Sequence, residues 1–159
     1  MPKLWARVIL CISIPSGMGC RGFRADNGPK EKTPMDSSIP HRFMLTGAVT
    51  ALIGMGFGIW MGINGPTTFN YAPVHAHINL VGWVSMFLFG LWYKAHPAVA
   101  GRALAQVHYW CALVGVICLA IGIFGAVAPN PSLDLFAIPG SLITLLSMLI
   151  FVWNVARNR

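Results

Sequence analysis

Four uncharged apolar runs organise the chain from residue 43 onward: 43–63, 74–93, 105–127 and 135–153. Strands of a lipid-facing barrel would be about 10 residues long with alternating polarity, and these runs are longer and do not alternate. As helices they fit, because roughly 20 apolar residues rising 1.5 Å each cross about 30 Å of hydrocarbon. The breaks between them carry their own signals. "NGP" at 64–66 is turn chemistry, and Pro73 can open a helix because the first turn has no internal acceptor for the N–H it lacks. "IPGS" at 138–141 predicts a kink near the start of the fourth run. Short connections make consecutive helices antiparallel neighbours. The pattern therefore predicts an all-α fold: an integral membrane four-helix bundle, antiparallel and up-down, with residues 41–157 as its transmembrane domain.

Composition supports the bilayer as solvent. Of 159 residues, 56% are hydrophobic and 9% charged, against about 25% charged in an ordinary soluble domain, and the mean hydropathy is +0.67. The net charge of +7 does not indicate nucleic acid, because the basic residues flank the apolar runs instead of forming a face. Lys3, Arg7, Arg21, Arg24, Lys30, Lys32 and Arg42 precede the first run, Lys94 and Arg102 separate the second from the third, and Arg157 and Arg159 follow the fourth. The other two connections hold no Lys or Arg, so all 11 basic residues fall on one side. That bias places both termini in the cytoplasm, with the bacterial inner membrane as the expected location.

Residues 1–40 have no long apolar run and are expected to be a disordered cytoplasmic segment, with Met35 an alternative start. "LWARVILCISI" is about as long as a signal-peptide core, but "PSGMGC" matches a cleavage box only loosely, since Met18 stands where a small residue is wanted. The four cysteines, Cys11, Cys20, Cys111 and Cys118, form no metal or redox spacing and read as packing residues.

The candidate chemistry is "HAHINLVGW", beginning at His75 at the outer mouth of the second run. Successive helical residues are about 100° apart, so His75 and His77 diverge by about 200° and cannot clamp one ion from an intact helix. Below His75 lie Asn79, Gly82, Met86, Phe89 and Tyr93, a face suited to a bundle interior. Below His77 lie Val81, Val84, Leu88 and Leu91, fit for lipid or for a flat apolar cofactor such as haem, which needs an axial imidazole. The plainer alternative is one histidine bonded to a loop carbonyl and the other in interfacial water. Asn79 could orient an imidazole as a supporting group. A copper site of His75 with methionines is the weaker alternative. His41 and His96 read as interfacial, and His108 as a hydrogen bond to a neighbouring helix or as a functional ionisable group within the membrane. Gly54, Gly58 and Gly62 form a stripe that lets a neighbouring helix approach, or clears a cofactor. Trp60, Tyr71, Trp92, Tyr93, Tyr109, Trp110 and Trp153 form an aromatic belt at the span ends.

"HAHINLVGWVSMFLFGLWYKAHP" resembles the tenth transmembrane helix of haem–copper (cytochrome c) oxidase subunit I. "GRALAQVHYWCALVGVICLAIGIFG" is similar to its eleventh, and "PGSLITLLSMLIFVWNVARNR" to its twelfth. The resemblance covers roughly residues 41–157, about the last third of that subunit, and implies a short stand-alone version of its C-terminal module. It implies axial ligation of haem iron by His75 and His77, one on each side of the helix, and an electron-transfer or accessory role in respiration. His108 matches a family histidine that is not a haem ligand. The family's other low-spin ligand and its copper ligands come from helices with no counterpart here, so a complete terminal oxidase is not implied. Haem could be held by one histidine, by two in a homo-oligomer, or within a larger respiratory complex. A cofactor-free structural or assembly subunit is the alternative.

Overall fold

The computed structural model describes Ser38–Asn158. Residues 1–37 and 159 lie outside the described residues, and with them most of the expected N-terminal segment, the Met35 start, Cys11 and Cys20. Among the described residues all elements are helical and no strand occurs. They are α1 (Ser38–Asn64), a 3-10 segment (Gly65–Tyr71), α2 (Ala72–His77), a π-helical segment (Ile78–Ser85), α3 (Met86–Ala95), α4 (Pro97–Ala100), α5 (Ala103–Val127), α6 (Pro131–Asp134) and α7 (Ala137–Arg157). Three stretches are long and apolar enough to cross a membrane: Ser38–Ala95, Ala103–Val127 and Pro131–Arg157.

The first of these is helical throughout, yet it folds back on itself. A Cβ on Gly47 would meet Phe87, one on Gly58 would meet His75, and one on Gly90 would meet Met44. This reverse-order pairing lays α1 alongside the rod formed by residues 72–95. The reversal falls in Gly65–Tyr71, where Gly65 has φ +67°, a conformation with no steric cost only for glycine. The "NGP" signal thus marks the turn. Pro66 and Pro73 both occupy early helical positions, where a missing N–H costs nothing.

Two boundaries differ from the sequence reading. α1 starts at Ser38 rather than 43, because Pro40 falls in its first turn and does not interrupt it. α7 starts at Ala137, so Pro139 also lies in a first turn, and Gly140 N–H donates to the Phe136 carbonyl at 2.9 Å. "IPGS" therefore opens α7 instead of kinking it.

α5 and α7 pack closely through small residues. Gly122 abuts Ala137, Gly140 abuts Leu119, and Gly115 abuts Thr144, the close backbone approach that small residues permit between helices in lipid. Phe43, Met86, Phe89, Tyr93, Ala105 and Ala112 are buried at the centre. Large apolar side chains face outward instead, including Leu52, Ile63, Leu135 and Ile138. Water would not tolerate so continuous an apolar exterior, whereas hydrocarbon does.

Candidate functional site

His75 and His77 both lie in α2, and helical geometry turns their rings apart. His75 faces α1. A Cβ on Gly58 would come within 2.8 Å of its Cε1 and 3.3 Å of its Nδ1, so the nitrogen-bearing edge of the ring is turned to that glycine. One turn along, Gly54 lies under Asn79, whose amide oxygen a Cβ there would approach to 2.5 Å. The glycine stripe is therefore filled by His75 and Asn79, while Gly62 has nothing within 4 Å. The Asn79 Nδ2 donates to the His75 carbonyl at 2.9 Å. It also sits 3.4 Å from both ring nitrogens. An in-plane hydrogen bond approaches one nitrogen only, so equal distances put the amide over the ring face.

His77 lies on the other side. Its Nδ1 is 2.7 Å from the Pro73 carbonyl. A carbonyl only accepts, so Nδ1 carries a proton, and in the neutral ring the lone pair is on Nε2. That is the arrangement of a histidine prepared to ligate through Nε2. His96 makes the same bond to the Trp92 carbonyl at 2.8 Å with its ring stacked on Trp92, so the bond fixes a tautomer without selecting a metal. Among the described residues no cluster of three or more His, Cys, Asp or Glu side chains could hold a metal ion.

A haem needs one imidazole and a broad apolar wall. His77 meets the first need, and Leu80, Val84, Leu88 and Leu91, further along the same rod, are exposed apolar side chains. His75 does not fit as it stands, because no macrocycle can enter between its ring edge and Gly58 unless α1 moves away.

The structure also assembles a polar group of which the sequence anticipated only one part, a His108 hydrogen bond to a neighbouring helix. Tyr93, His108 and Asn154 come from α3, α5 and α7 and are buried, with His108 wholly inaccessible. Asn154 Nδ2 donates to the Tyr93 hydroxyl at 2.9 Å, and that hydroxyl lies 3.0 Å from His108 Nδ1. With the Tyr93 oxygen accepting from Asn154, the phenolic proton goes to Nδ1, which makes His108 the Nε2–H tautomer. Phe43, Phe89 and Phe151 surround the imidazole at centroid distances of 5.1, 4.7 and 5.8 Å. Tyr109 is also interior, its hydroxyl 3.1 Å from Thr46 Oγ1. Tyr93 and Tyr109 therefore leave the aromatic belt for the core. A polar group on the buried face of each of three successive runs was the available signal, but sequence gives no depth at which to align them.

No family model, curated protein or solved structure matches this chain.

Proposed function

We propose that the chain is a multi-pass membrane protein of haem–copper oxidase subunit I descent that binds haem and serves electron transfer or an accessory role in respiration. In this reading it has four spans in an antiparallel up-down bundle, with both termini cytoplasmic at a bacterial inner membrane. The observation that carries the haem assignment is His77. Its Nδ1–H is held by the Pro73 carbonyl at 2.7 Å, which leaves Nε2 available, and exposed apolar side chains follow further along the rod. His77 would hold the iron, and the haem would supply one-electron chemistry. The Pro73 carbonyl would fix the ring orientation, and the branched side chains of Val84, Leu88 and Leu91 would exclude water. His75 would join as a second ligand only with α1 displaced at Gly58, while Asn79 holds its backbone carbonyl.

One observation favours the cofactor-free structural or assembly role: the His75 edge against Gly58 is what a packing histidine makes. Absorption spectra of the purified chain from haem-replete cells separate the two. The haem reading expects a Soret band that shifts on reduction. Colourless protein would refute it and leave the structural role.

A further inference from the structure

Ile78–Ser85 is π-helical over 8 residues, between the α-helical turns of α2 and α3. The backbone N–H of a π turn reaches five residues back instead of four, so each turn takes in about one residue more. The segment therefore rotates α2 relative to α3, and burial records the rotation. On an unbroken α-helix, at about 100° per residue, His75 would stand about 20° from Met86 and Val74 about 120° from it. The structure gives the interior place to Val74 instead. Val74 is 3% exposed and Met86 1%, while His75 is turned onto α1 at Gly58. The face given by helical spacing and the face that is buried thus differ by one residue at the outer end of the rod.

Two side chains bond into the widened backbone. Asn79 Nδ2 donates to the His75 carbonyl at 2.9 Å, where α2 gives way to the segment. Ser85 Oγ donates at 2.9 Å to the Leu80 carbonyl, five residues back, where α3 begins. Within lipid, polar side chains support the backbone where the regular ladder is interrupted.

We propose that Ile78–Ser85 is a register device that stores one residue, clipped by Asn79 and Ser85, and that its release to α-helix turns His75 and Asn79 away from α1 onto the line of Gly82 and Tyr93. That line meets α5: a Cβ on Gly82 would lie 3.3 Å from Val116, and the Tyr93 hydroxyl bonds to His108. α1 keeps its place, because its contacts at Phe87 and Gly90 lie on the other side of the segment. The slack passes into the Gly65–Tyr71 turn. The device moves an ionisable ring from one helix contact to another inside the bundle, and it does not depend on haem.

Nuclear Overhauser contacts and thermal melting of the full chain in lipid nanodiscs test this. Wild type is expected to show a contact between the His75 Hε1 proton and the Gly58 Hα protons, and its absence would rule out the starting register. Deleting Leu80 removes the stored residue and leaves both flanks in place, so the contact and the melting temperature should survive. Deleting Leu88, inside α3, should lower the melting temperature much further, because no surplus there absorbs the loss. Asn79→Leu combined with Ser85→Ala should weaken the His75–Gly58 contact at least two-fold and bring new contacts between the His75 ring and α5. Ser85→Ala alone, which removes one exposed hydroxyl, carries the same expectation at smaller amplitude if the pair does not fold. A Leu80 deletion as damaging as the Leu88 deletion would overturn the stored residue. An undiminished His75–Gly58 contact in the folded Asn79 and Ser85 variants would overturn the release.

Discussion

His75 presents the nitrogen-bearing edge of its ring to Gly58, a residue of another helix with no side chain to oppose it. The contact fixes how closely α1 approaches α2. Gly58→Val is therefore expected to force the two helices apart and destabilise the protein by about 1–3 kcal/mol, the usual cost of overpacking. Gly62→Ala, four residues on and with nothing within 4 Å, should be neutral or raise stability by up to about 1 kcal/mol through helix propensity. Unfolding in mixed detergent micelles compares them. Equal effects of the two substitutions would show that the stripe is not the packing surface.

The hydroxyl of Tyr93 is shared by His108 and Asn154. Tyr93→Phe removes the oxygen and strands two buried groups, so a loss of about 1–2 kcal/mol is expected, at the upper end of what interhelical hydrogen bonds in membranes contribute. Replacing all three residues by Phe, Leu and Leu should cost less than the single change, because no polar group is then stranded. A triple variant weaker than Tyr93→Phe would indicate that the network is strongly favourable in its own right.

The two histidines of "HAH" should separate spectroscopically. If haem is bound, His77→Ala is expected to abolish the Soret band or lower haem content at least ten-fold. His75→Ala should leave it largely intact. The pyridine haemochrome assay reads both. Loss of haem only in His75→Ala would place the ligand on the α1 side and require α1 to move on loading.

Orientation is open to a direct reporter. Fluorescent-protein fusions at the C-terminus should fluoresce, as proteins folded in the cytoplasm do. Alkaline phosphatase inserted after Asn130 should be active, as expected for the opposite side. The reverse pattern would overturn the topology drawn from the basic residues.

Much of the fold was legible because lipid imposes a simple rule. The uncharged runs, Gly65 after Asn64 and Pro73 before "VHAH" mark helices and turns through backbone chemistry alone, and each is local. The interior face of Gly82, Met86, Phe89 and Tyr93 was also readable from helical spacing, and these residues are buried. What the sequence hid is relative depth. Tyr93 and Tyr109 look like interfacial anchors on a linear map, because that map places them near span ends. Their burial depends on where α1 crosses them, as the ring contacts of Phe43 with both tyrosines show, and for Tyr93 also on Asn154 of α7. "IPGS" misled for a similar reason: a proline bends a helix only when residues before it are already helical, and α7 begins two residues earlier.

The contact between α5 and α7 is closed differently at its two ends. Near Gly122, backbone meets backbone, and nothing there depends on polarity. Near Asn154, hydrogen bonds through Tyr93 are added to the contact of the Phe151 and His108 rings. A medium rich in hydroxyl groups competes for the second kind of contact and has no purchase on the first. Such a medium would therefore peel the helices from the Asn154 end toward Gly122, giving the molecule a preferred direction of opening.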